Sequence, residues 1–206
     1  MRGLARIGAP LAIALTLVLQ GTAVAASSVS MVGTTPGTFA FSPVTVKTSL
    51  GSTVTWTNMS NVLHTATSDS TDPYTWDTGS VSVGSSSSPI VFSAAGSFPY
   101  HCSFHPTIMM GTVRAPMKAS PASGVLGTTF KITWATAAPA PGSNLVFEVQ
   151  KKDPGGSFMP WQTDVTTLKT MFTPTATGTY SFRAQVKNTV TGATSGFSSA
   201  KSITVT

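Results

Sequence analysis

The chain of 206 residues is poor in cysteine, histidine and charge. It has one cysteine, which excludes an internal disulfide framework. It has three histidines, too few for a site built from many imidazoles. Only 9% of its residues are charged, against about 25% in a typical soluble domain. Ser, Thr and Ala fill the place of the missing charges. Long apolar runs are also absent. The longest, Ala9 to Leu19, falls short of the roughly 20 residues that a spanning helix needs. The mature chain is therefore expected to have no membrane span. No Lys/Arg run exceeds Lys151-Lys152. That argues against a dense phosphate-binding patch and against nucleic acid as a partner.

What is present begins with an export signal. Arg2 and Arg6 precede the short apolar stretch, and Ala23-Val24-Ala25-Ala26 ends it. A basic start, a short apolar core and a small-residue end describe a secretory signal peptide. Residues 1–26 are assigned to it, which predicts a periplasmic, extracellular or cell-surface protein. Removing the two signal arginines lowers the formal charge from +6 to +4. An exported protein with one unpaired cysteine points to intermolecular pairing, a reactive thiol or a metal ligand.

The mature chain reads as strands. Thr53-Val54-Thr55-Trp56-Thr57, Phe98-Pro99-Tyr100-His101-Cys102, Phe130-Lys131-Ile132-Thr133-Trp134 and Leu145-Val146-Phe147-Glu148-Val149 are short runs rich in β-branched and aromatic residues. Gly, Pro, Ser and Asp clusters separate them. Many short strands at close spacing predict an all-β protein of sandwiches or barrels. The Pro/Ala/Ser-rich stretch Ala115 to Gly124 suits a boundary. We therefore divide the mature chain into residues 27–115 and 116–206. Formal charge splits between them as −1 and +5.

All three histidines and the cysteine fall in the first of these parts. Cys102-x2-His105 places a thiolate and an imidazole on one tight loop at the end of a strand. His64 can enter from a neighbouring loop and complete a His2Cys set. Met109 or Met110 can add a weak thioether. Two imidazoles, one thiolate and a long axial methionine are the donors of a blue-copper electron-transfer centre. His101 adjoins Cys102 on a strand and so faces the other way; it is read as packing. Trp56 and Trp76 are read as core or loop packing. Structural zinc prefers four Cys/His ligands, and only three are suitably placed.

These residues resemble the cupredoxins: plastocyanin, azurin, pseudoazurin and amicyanin. The resemblance covers nearly all of residues 27–115. Gly51-Ser52-Thr53-Val54-Thr55-Trp56-Thr57-Asn58 and the six-residue step to His64 are similar to the family's approach to its first ligand. Gly96 to Cys102, and then His105, Met109, Gly111 and Val113, are similar to its C-terminal ligand loop. The resemblance implies a Greek-key β-sandwich holding one Cu(I)/Cu(II) ion on His64, Cys102, His105 and Met109. It implies one-electron transfer to a redox partner protein, without an enzyme activity. Met109 is preferred over Met110 because Gly111 and Val113 keep step with it.

Three positions depart from the family pattern. Thr65 stands where Asn is usual, and its hydroxyl with that of Ser103 is expected to tie the ligand loops instead. Phe104 stands where short-loop members have Pro, which restores an N–H able to point at the sulfur. Ser60 stands where many relatives carry Asp.

The second part has neither cysteine nor histidine. Thr173 to Val186 resembles the fibronectin type III stretch entering its last strands, with Tyr180 as a corner tyrosine bonded to backbone. The resemblance implies an immunoglobulin-like sandwich. Its positive charge suits cell-wall or cell-surface contact. Two other readings of the whole stay open: copper storage or delivery without electron transfer, and an adhesion module with a subsidiary copper site.

Overall fold

The computed structural model describes residues 26–206, so the signal segment lies outside the described residues apart from Ala26. The described chain is all-β, with sixteen strands and no helix. It therefore contains no helix long and apolar enough to cross a membrane.

Residues 27–115 supply two four-stranded sheets. Their strands are β1 (Ser27–Val32), β2 (Ala40–Ser42), β3 (Thr45–Lys47), β4 (Thr53–Asn58), β5 (Thr67–Ser68), β6 (Ile90–Val91), β7 (Gly96–His101) and β8 (Met110–Ala115). One sheet has the order β2-β1-β4-β6 and the other β3-β8-β7-β5. Alternation sets their faces: β4 buries Val54, Trp56 and Asn58 and leaves the residues between them half-buried. The buried faces enclose Met31, Phe41, Trp56, Phe92, Phe98 and Tyr100. Rings meet at close range here, with Trp56 stacked on Trp76 at 5.0 Å and Phe41 tilted against Tyr100 at 4.6 Å.

Residues 118–205 supply the other two sheets. Their strands are β9 (Lys118–Ser120), β10 (Ser123–Gly124), β11 (Phe130–Thr133), β12 (Leu145–Lys152), β13 (Phe158–Val165), β14 (Lys169–Phe172), β15 (Gly178–Asn188) and β16 (Lys201–Val205). A three-stranded sheet runs β14-β11-β9 and a five-stranded sheet β10-β16-β15-β12-β13. Trp134 was expected inside a strand but falls just past the end of β11. It is fully buried there, and its indole N–H donates to the Thr167 carbonyl at 2.6 Å. The Tyr180 hydroxyl donates to the Ala176 carbonyl at 3.0 Å, the backbone bond expected of it.

The two pairs of sheets touch through backbone. Ser97 and Gly196 exchange N–H···O bonds of 2.8 and 3.0 Å. Ala95 donates to the Trp134 carbonyl and Thr136 to the Ser93 carbonyl, both at 2.8 Å. Their buried residues form one continuous apolar cluster. Gly51, with φ at +81°, sits against the Thr136 side chain. A Cβ there would come within 2.8 Å of it, so the approach needs glycine as much as the turn does.

Candidate metal centre

The site lies at one end of the first pair of sheets, where loops leave β4 and β7. Asn58 closes β4 and is fully buried. Its amide donates to the Val62 and Val81 carbonyls at 2.7 and 2.8 Å. Its carbonyl oxygen accepts from the Ser60 N–H at 3.0 Å and the Ser60 hydroxyl at 2.7 Å. One side chain thus shapes the loop that delivers His64. Ser60, the departure from Asp, works as a partner in that turn.

β7 ends at His101, and Cys102 begins a tight loop. The Cys102 N–H donates to the Met109 carbonyl at 2.9 Å. The His105 and Met109 N–H groups donate to the Cys102 and His105 carbonyls at 2.9 and 3.0 Å. The loop therefore folds back on itself before β8 starts.

These loops bring His64, Cys102 and His105 together. Their ligand atoms all lie within 4.8 Å of one another. The Cys102 Sγ stands 3.6 Å from His64 Nδ1 and 3.7 Å from His105 Nδ1. Those edges are the lengths subtended by metal bonds of about 2.0–2.3 Å to nitrogen and sulfur. A thiolate with two imidazoles suits copper in both oxidation states. His64, Cys102 and Met109 are fully buried, while His105 is half-buried. Burial holds the His64 imidazole below its usual pKa, and His105 nearby adds to the effect. A neutral imidazole is the form that binds metal.

Burial also separates the two candidate methionines. Met109 is 0% exposed, whereas Met110 is 56% exposed and pairs with His101 in the sheet. His101 stands outside the cluster and lines a shallow surface pocket with Pro106 and Met110.

The hydroxyls expected to tie the ligand loops do so. The Ser103 N–H donates to Thr65 Oγ1 at 2.8 Å. Thr67 Oγ1 lies 3.0 Å from Thr65 Oγ1 and 2.9 Å from Ser103 Oγ, and it donates to Asp77 at 3.2 Å. The N–H aimed at the sulfur is a correction. It comes from Thr65, at 3.4 Å, and Phe104 stands 52% exposed. The loop turns Phe104 outward, while the first-histidine loop passes beside the thiol.

Sequence reasoning missed Phe39. It is buried, and its ring centroid lies 5.0 Å from that of His64 and 4.7 Å from that of His105. It fixes both imidazoles from one side. Its strand pattern carried no sign of this, because a residue just before β2 meets rings on two loops distant in sequence.

No protein-family model and no curated protein matches the chain. Solved structures do, and those described next match 43–49% of it. The likeness is to cupredoxins. A purple cupredoxin from Nitrosopumilus maritimus is 26% identical, over 43% of this chain and 98% of its own, with a TM-score of 0.38. An amicyanin variant in its Cu(I) form is 22% identical, over 44% of this chain and 81% of its own, at 0.37. A copper-containing nitrite reductase from Thermus scotoductus is 22% identical, over 49% of this chain and 24% of its own, at 0.40.

Proposed function

We propose that the chain is an exported mononuclear type 1 copper protein that carries single electrons. The observation that carries this reading is the convergence of one buried thiol with two imidazole Nδ1 atoms at 3.6 and 3.7 Å. Copper bound there supplies one-electron redox chemistry. The chain's part is to hold the donors still. Asn58 and the Thr65–Ser103 bond fix the loops, and Phe39 fixes the rings. The Thr65 N–H stabilises negative charge on the sulfur. Met109 would add a thioether donor in this reading, supported by its complete burial and the bond from the Cys102 N–H to its carbonyl.

His105 is the solvent-facing donor, and Phe104, Pro106 and Ile108 are exposed around it. An apolar collar about an imidazole edge suits brief docking of a redox partner protein. We read the chain as a carrier rather than an enzyme because the other donors are buried. Residues 27–115 form the copper-binding part in this reading. Residues 116–206 form an immunoglobulin-like sandwich held against it.

Anaerobic copper titration tests the proposal. The Cu(II) form should absorb strongly at about 600 nm through thiolate-to-copper charge transfer. Cys102→Ser should abolish that band. A colourless Cu(II) complex, or a Cys102→Ser variant that stays coloured, would sink the proposal. Tight Cu(I) binding with irreversible voltammetry would instead establish copper storage or delivery.

A further inference from the structure

The second part of the chain has an uncompensated basic face. Its three acids are Glu148, Asp153 and Asp164. Each is ion-paired on the five-stranded side: Glu148 and Asp164 with Lys187, and Asp153 with Lys151. None is left for the three-stranded sheet. There the register places Lys118 and Lys169 on either side of Thr133, one on each neighbouring strand. Lys131 lies two residues along β11, so it projects from the same face as Thr133. All three lysines are exposed and none has an ion-pair partner among the described residues.

The lysines line one groove with a volume of about 420 Å³. Ser120, Thr133 and Thr136 add hydroxyls, and the lining contains neither an acid nor an aromatic ring. We propose that this groove binds a linear anionic polysaccharide, the three ammonium groups meeting its acidic groups and the hydroxyls meeting its sugar hydroxyls.

The chemistry selects this partner over other polyanions. Lys118 and Lys169 stand two strand spacings apart, about 9.5 Å at the backbone. That suits sparse charge along a polymer better than duplex DNA, which carries a charge every ~1.7 Å of axis. Single-stranded nucleic acid is held by stacking on aromatic rings, and the groove has none. A lipid surface takes a protruding apolar edge, whereas this lining is concave and hydroxylated. Ammonium groups on flexible stems act as point charges and tolerate a repeating ligand in several registers.

Titration of the full chain with polygalacturonate at low salt tests the proposal, with neutral dextran as reference. Binding to polygalacturonate but not dextran is expected, weakening as salt screens the charges. Lys118→Gln, Lys131→Gln and Lys169→Gln combined should weaken binding about tenfold, the scale of three exposed charge contacts. Lys152→Gln with Lys201→Gln, on the five-stranded sheet, should leave it within about twofold. Near-ultraviolet dichroism checks that each variant stays folded. The proposal is overturned by absent wild-type binding, by an unaffected triple variant, or by equal loss in the control pair. Tighter capture of single-stranded DNA or of anionic vesicles than of polygalacturonate overturns it equally.

Discussion

Each half of the chain buries one tryptophan completely and one tyrosine nearly so, but the halves treat their polar atoms differently. In the second half, Trp134 donates to Thr167 and Tyr180 to Ala176. In the first half, the Trp56 indole meets Tyr100 edge-on at 5.5 Å without a well-aligned hydrogen bond. Neither Trp56 Nε1 nor Tyr100 Oη makes a well-aligned hydrogen bond, although the indole N–H stands near enough to the phenol to oppose slightly the rise that burial gives its pKa. Buried side-chain atoms without a partner among the described residues occur on Thr48, Trp56, His64, Asp72, Trp76 and Tyr100. All of them lie in the first half. A buried polar group normally finds a partner, and exceptions gather where function competes with packing. The second half behaves as a closed, self-satisfied sandwich. The first leaves buried groups without partners, and of these only His64 belongs to the candidate ligand set.

That contrast can be broken most strongly at Asp72. Burial pushes its carboxyl up to about 6 from an ordinary 3.8, with the Asp69 charge adding to this and the Tyr74 N–H opposing it. The folded state then holds the proton more tightly than the unfolded chain. The contribution to stability is full below about pH 4 and is lost as pH rises through about 6, a change of up to about 3 kcal/mol. Denaturant melts of Asp72→Asn at pH 4 and pH 7 should differ less than those of wild type. An unchanged difference would place the cost elsewhere.

The tryptophans give the next largest effect. Trp134→Phe and Trp56→Phe both leave a small void, but only the first strands a bonded carbonyl. Trp134→Phe should cost about 2 kcal/mol more than Trp56→Phe in urea melts. Equal costs would show that the Trp56 N–H finds a partner in solution.

The tyrosines give the smallest effect. Tyr180→Phe should lose about 1 kcal/mol, while Tyr100→Phe should be neutral or slightly stabilising. A destabilised Tyr100→Phe would make the first-half core as well satisfied as the second.

Local pattern was enough for much of this architecture. Alternation in Thr53 to Thr57 predicts β4, and the structure has it from Thr53–Asn58. The spacing Cys102-x2-His105 sets the tight loop by itself, because the loop's bonds run between near neighbours in sequence. Trp134 was misplaced because period-two composition continues past the point where β11 loses its pairing partners. The Thr65 N–H was missed as a sulfur donor because its residue is 37 positions from Cys102. Phe39 was missed for the same reason. Contacts between distant segments leave no local pattern.

By itself, the sequence determined an all-β chain, a scarcity of ligands and the candidate donor residues. One cysteine and three histidines leave few ways to build a metal site. Tertiary structure decided what sequence separation hides. It brought His64 against Cys102, buried Met109 while exposing Met110, and chose the N–H that faces the sulfur. It also gathered Lys118, Lys131 and Lys169, dispersed over 51 positions, onto one face. The physical reason is that strand register fixes which distant residues become neighbours, and register is settled by pairing and burial across the whole sheet.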